Sequence, residues 1–125
     1  LKDAGVGPEA VDFVNAHGTA TKENDRIEGG VLTRVFGPEV RAVSTKGYTG
    51  HTLGAAGGIE AVFTALALRE GWIPASLGFE TRDEAIPFAP LTEATPVVGR
   101  YAVSTSLAFG GNNAALVMAR QGERR

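Results

Sequence analysis

Apolar residues along this chain gather in short runs separated by glycine- and threonine-rich turns, and the runs carry two different periods. Val11–Ala16 is short, apolar and β-rich, the pattern of a buried strand. Thr21 stands where a helix needs a cap, ahead of a segment in which Ile27, Val31, Leu32 and Val35 form one apolar stripe. Phe36-Gly37-Pro38 stops that helix, and Val40–Thr45 reads as a second strand. Leu53–Leu68 is rich in Ala, Leu, Val and Ile on every side, which predicts a helix wrapped by other layers. Trp72–Leu77 reads as a loop or short strand held by Pro74, and residues 79–96 as an irregular, proline-containing connection. Tyr101–Leu107 and Ala114–Ala119 are two further strands flanking AFGGNN, whose Gly and Asn residues suit a tight reversal. The order βαβα followed by a hairpin predicts a mixed-sheet α/β domain. No repeat, low-complexity tract or internal boundary divides residues 1–125, which end in a charged tail at 121–125.

Composition narrows the class. A chain of 125 residues has room for one domain with a real core, and 43% hydrophobic with 21% charged residues is ordinary for a globular protein. The net charge of −2 argues against a nucleic-acid or membrane-surface binder, and no apolar run approaches the ~18 residues of a membrane span. With zero cysteines there is no disulfide, no thiolate metal site and no cysteine nucleophile in these residues, a composition compatible with a cytoplasmic protein. Two distant histidines without HExxH spacing predict no catalytic metal. The opening LKDAG resembles the last turn of a helix capped by Gly5, the expectation for a fragment.

The two histidines are the candidate chemistry. His17 lies in VDFVNAHGTAT, at the C-terminal end of a strand, the usual ligand edge of an α/β sheet. Thr19 and Thr21 add hydroxyls to its loop; their competing role is helix capping, as a satisfied structural histidine is the competing reading of His17. His51 lies in STKGYTGHTLGAAGG, just before the long apolar helix, whose N-terminal N–H groups and dipole disfavour an imidazolium. A neutral imidazole can still donate one hydrogen bond to a carbonyl or enolate oxygen; the alternative is a histidine that merely caps the helix. Lys46 follows an apolar strand and Glu60 is the sole charge in its helix, so each needs a partner and a Lys46–Glu60 pair is expected. Asp25 and Glu28 fall in the first turns of their helix, where the dipole favours carboxylates.

Taken together and in order, NAHGTAT, STKGYTGHTLGAAGGIEA and SLAFGGNNA resemble the C-terminal part of β-ketoacyl-acyl-carrier-protein synthases, the type II elongating enzymes and related polyketide ketosynthases above all. The resemblance runs over almost the entire chain. It implies the C-terminal half of a thiolase-like fold, a mixed sheet with a buried central helix at Leu53–Leu68, lacking its first strand. It implies decarboxylative Claisen condensation, in fatty acid or polyketide synthesis, of malonyl-carrier protein with an acyl thioester held on a cysteine. His17 and His51 would bind the malonyl thioester carbonyl and stabilise the enolate. Lys46 would orient the site, with Glu60, Asp25 and Glu28 as support. Thr19 and Thr21 would hydrogen-bond the phosphopantetheine arm. Phe109 matches the family's gating phenylalanine, its backbone N–H completing an oxyanion hole, and Gly110 lines the same substrate loop. No cofactor is implied beyond the phosphopantetheine that carries the substrates. The implied partners are acyl carrier protein and a second copy in a homodimer. Ala108 departs from the usual glycine of the gating loop and Asn112 from the usual threonine.

The nucleophilic cysteine and the N-terminal half are absent from these residues, so the expectation is an enzyme fragment inactive alone. The alternative from another class is a non-catalytic partner akin to a chain-length factor, or a dimerisation module. Retention of both histidines and Lys46 counts against it.

Overall fold

The computed structural model describes residues 1–122, so 123–125 of the charged tail lie outside the described residues. One four-stranded mixed sheet forms the centre. Its strands are β1 (Val11–Asn15), β2 (Ala42–Val43), β5 (Tyr101–Leu107) and β6 (Asn113–Ala119), in the order β2-β1-β5-β6. β1 runs parallel to β2 and β5, whereas β5 and β6 form the expected antiparallel hairpin, paired from Tyr101–Ala119 to Leu107–Asn113. The strand expected over Val40–Thr45 contracts to Ala42–Val43. A two-stranded ribbon, β3 (Trp72–Ile73) with β4 (Thr95–Pro96), closes the irregular connection.

Period-2 alternation sorts the strand residues between two helical layers. Phe13, Val43 and Ala102 point to one face, where Ala67, Leu68 and Ile73 meet them; α3 (Ala56–Glu70) supplies that layer after a short 3₁₀ turn at Leu53–Ala55. Val14, Ala42 and Val103 point to the other, where Leu32 of α1 (Lys22–Phe36) packs. An irregularity between Val11 and Phe13 breaks the alternation and returns Val11 to the α1 side. Two further short helical pieces matter: α2 (Lys46–Thr49) and a 3₁₀ turn at Lys2–Ala4 ended by left-handed Gly5, as its sequence suggested. Among the described residues no helix is long and apolar enough to cross a membrane.

Two helix faces depart from expectation. On α1, Leu32 alone of the four stripe residues is buried; Ile27 is 67% exposed, and Val31 and Val35 also face outward. The sheet is met instead by Glu28, Gly29 and Leu32. Gly29 is required because a Cβ there would come within 2.8 Å of Ile86, which brings the 79–90 segment down onto the helix. Helix α3 is wrapped on one side only. Its Glu60, Thr64, Ala67 and Leu68 are buried against the sheet, while Val62 and Phe63 are open to solvent. Apolarity all round predicts cover on all sides, and these 122 residues provide it on one.

Candidate active site

The parallel strands end together, and the loops leaving those ends build the site. Alternation in β1 continues past its last residue: Phe13, Asn15 and His17 all take the α3 side. His17 is therefore buried, and the chain must then turn sharply. Gly18 makes that turn with φ +46°, and a Cβ on it would come within 2.5 Å of Ser44, so only glycine fits. Ala20 (φ 61°) and Leu53 (φ 52°) also sit in the left-handed region, one beside each histidine, and both carry the strain of a side chain there.

Glu28 holds the His17 turn. Its carboxylate accepts the backbone N–H of His17 at 2.8 Å and of Gly18 at 2.9 Å, the Thr105 hydroxyl at 2.9 Å and the Asn24 amide at 3.1 Å. The dipole argument placed Glu28 at a helix start for the helix's sake; the structure makes it a buried acceptor for the site loop, in the second turn. Thr105, which sequence reasoning did not single out, also accepts the His17 N–H at 3.1 Å.

Lys46 and Glu60 form the expected buried ion pair. The ammonium also lies 3.3 Å from His17 Nδ1. A lysine ammonium has only protons to offer, so Nδ1 accepts and the ring proton resides on Nε2. Burial lowers the His17 pKa below its ordinary value, and the Lys46 charge lowers it further, against the pull of Glu28 and Glu60. His17 is thus a neutral ring. Glu60 Oε2 is buried without a hydrogen-bond partner among the described residues.

His51 is exposed, and its Nδ1 accepts the Leu53 N–H at 3.1 Å. That contact satisfies the first N–H of the 3₁₀ turn, not of α3, whose N-cap Ala55 makes no side-chain bond. It also fixes the Nε2–H tautomer and leaves that edge free. The two rings meet edge to face, centroids 5.5 Å apart and planes at 86°. Two imidazoles with their protons on Nε2 thereby meet from residues 34 positions apart in the chain, His17 and His51.

A cavity of about 500 Å³ has Thr19, Asp25, Glu28, Lys46, His51, Phe79 and Phe88 in its wall; His17 stands behind it, its neighbours Ala16 and Gly18 lining the cavity in its place. Burial raises the Asp25 pKa, the neighbouring Glu28 adds to this, and hydrogen bonds from Asn24 and Ala20 oppose it. Thr21 caps α1 by accepting the Asn24 N–H at 3.3 Å, and Thr19 lies 3.4 Å from it, hydroxyl to hydroxyl. Phe109 is fully exposed in the β5–β6 connection, followed by Gly110 at φ 76°; neither lines the cavity. Among the described residues no group of three or more His, Cys, Asp or Glu is placed to hold a metal.

The sequence matches the family described as Beta-ketoacyl synthase, C-terminal domain, over residues 1–80. It is 41% identical over 125 residues to 3-oxoacyl-[acyl-carrier-protein] synthase 2 of Coxiella burnetii, a match covering 96% of this chain and 30% of that protein. Among solved structures, a β-ketoacyl synthase from Burkholderia phymatum superposes with a TM-score of 0.94 at 36% identity, over 98% of this chain and 30% of the other. The ishigamide ketosynthase/chain length factor superposes with a TM-score of 0.91 at 38% identity, over 98% and 31%. The chain thus spans less than a third of the length of these relatives.

Proposed function

Because the chain belongs to the β-ketoacyl synthase family, whose C-terminal domain it carries in a thiolase-like fold, we propose that it serves a 3-oxoacyl-acyl-carrier-protein synthase as the part that activates malonyl thioester. The observation that carries this reading is the contact of two imidazoles whose Nδ1 atoms are both occupied, His17 by the Lys46 ammonium and His51 by the Leu53 N–H, so that each keeps its proton on Nε2. Loss of CO2 from a malonyl thioester leaves its electron pair as an enolate with the charge on the thioester oxygen. Two neutral donors stabilise that oxygen without giving up a proton, so the enolate carbon stays nucleophilic. It then attacks the carbonyl carbon of an acyl thioester, and the thiolate leaves.

The acyl-bearing thiol has to come from outside these residues, because the chain has no cysteine. These 125 residues are accordingly proposed as the His/His/Lys share of an active site completed by the remaining two-thirds of a longer enzyme, and as inactive alone. Thr19 and Thr21 hydrogen-bond the phosphopantetheine arm, Phe109 with Gly110 gates the substrate and supplies an oxyanion N–H, and Asp25 and Glu28 support the loop. Acyl carrier protein and a second copy of the enzyme are the partners, no cofactor is needed beyond carrier-bound substrates, and the setting is the cytoplasm.

The test is CO2 release from malonyl-carrier protein, with and without acyl acceptor, by the intact protein and by its His17→Ala and His51→Ala variants. The expected result is release by the wild type and its loss in both variants. Normal decarboxylation in both variants would overturn the assignment. A non-condensing partner of the chain-length-factor kind would release no CO2 even as wild type; the intact His17–Lys46–Glu60 constellation disfavours it.

A further inference from the structure

One buried polar side chain at the site has no role in the chemistry above. Asn15 ends β1, is 1% exposed, and is a polar residue on the inward face beside Phe13. Its Nδ2 lies 3.2 Å from the Glu60 carbonyl oxygen and 3.2 Å from Thr64 Oγ1, both on α3. Its Oδ1 lies 3.4 Å from the backbone N–H and the hydroxyl of Thr45, the residue before Lys46. The amide orientation is fixed by its surroundings, since the Glu60 carbonyl can only accept and the Thr45 backbone nitrogen can only donate. One side chain therefore ties together the strand leading to His17, the turn that starts Lys46 and the helical turn that carries Glu60.

We infer that Asn15 is a positioning residue that sets the Lys46–Glu60 pair against His17 Nδ1, an inference that rests on the reading of this site as the malonyl-activating centre. The long, flexible lysine stem would otherwise let the ammonium settle on Glu60 alone. Glu60 is anchored at its carbonyl by Asn15 and Thr64, and Thr45, the residue before Lys46, is anchored at its N–H by Asn15. The distance from ammonium to imidazole is thus a property of the Asn15 amide as much as of the ion pair. The groups facing the His17 ring are Lys46 from α2, Glu60 from α3, Glu28 from α1 and His51 from the loop before α3. Slackening the Lys46 contact removes the nearest cation from that set.

The experiment follows the titration of His17 by NMR in the intact, histidine-labelled protein, together with the rate of CO2 release from malonyl-carrier protein. In Asn15→Ala the His17 midpoint should move to higher pH, and the rate should fall about 10-fold with its acid limb moved the same way. In a Lys46→Met/Glu60→Gln background the same Asn15→Ala change should alter the rate less than about 2-fold. Thr64→Val, which leaves β1 untouched, should move both readouts in the same direction by less, and serves where Asn15→Ala folds poorly. An unmoved His17 midpoint, or losses that multiply in full in the double background, would overturn the role of Asn15. A wild type that releases no CO2 while the midpoint moves as expected would sink the proposed reaction and leave the positioning role standing.

Discussion

The sheet carries an acid–base pair at each end of β1, Asp12–Arg41 where the parallel strands begin and Lys46–Glu60 where they finish. At the first end every contact is structural. Asp12 accepts the Arg41 guanidinium and the Gly99 N–H at 2.7 Å, and Arg41 also donates to the Pro96 carbonyl, so the pair staples three chain segments together. At the second end the lysine reaches beyond its carboxylate to an imidazole nitrogen. Arg41 keeps part of its surface in water, whereas Lys46 and Glu60 are both almost fully enclosed. The same kind of ion pair is a clasp in one place and a means of setting a ring's tautomer in the other. What separates them is the group touched by the cation's remaining protons.

Replacing each pair by neutral isosteres should pull the two ends apart. In the intact protein, Lys46→Met/Glu60→Gln should lower malonyl decarboxylation by about 10²-fold, the scale of losing one oxyanion donor, while the fold survives because no buried charge is stranded. Arg41→Met/Asp12→Asn should lower the melting temperature and leave the decarboxylation rate within about 3-fold. Equal rate losses in the two would erase the distinction.

Glu28→Ala sharpens the contrast from the stability side. Removing that carboxylate leaves the Gly18 N–H without its acceptor and the His17 N–H with only the Thr105 hydroxyl, a loss of about 2 kcal/mol that denaturant unfolding would read. A change under about 1 kcal/mol would mean that water replaces the carboxylate and that Glu28 does not hold the loop. A smaller effect comes from pH. The unfolded His17 ring titrates near 6.5 and the folded one lower, so between those values the unfolded state binds the extra proton. The associated stability is complete above 6.5 and is lost as pH falls below it, and melting temperatures taken downward through that window should drop more in wild type than in His17→Gln. The smallest expected effect is at Asp25, whose carboxylate is disfavoured by burial; Asp25→Asn should raise the melting temperature slightly at neutral pH.

The strands, both main helices and the hairpin were legible because their periods of 2 and 3.6 survive in the sequence: Tyr101–Leu107 forms as read, and Thr21 and Gly37 bound α1 as its cap and stop signals indicate. The Lys46–Glu60 pair was legible for a different reason, since two charges in apolar surroundings have few ways to be satisfied. Burial of helix faces was not. Ile27, Val31 and Val35 form a regular stripe yet face solvent, because Gly29 and Glu28 hold the inward side for close packing and hydrogen bonding. The contacts of Glu28 with Thr105, 77 positions away, leave no local trace in sequence. Asn15 does leave one, a polar residue on the inward phase of a buried strand, and that signal could have marked it.

Burial and the Lys46 charge together hold His17 as a neutral ring, and the Lys46 contact at Nδ1 leaves its proton on Nε2. The direct measurement is the NMR titration of His17 in the intact protein, beside the same titration in Lys46→Met/Glu60→Gln. A wild-type midpoint below 6.5 that rises when the pair is replaced is the predicted result. A midpoint at or above 6.5, unchanged by the replacement, would contradict it.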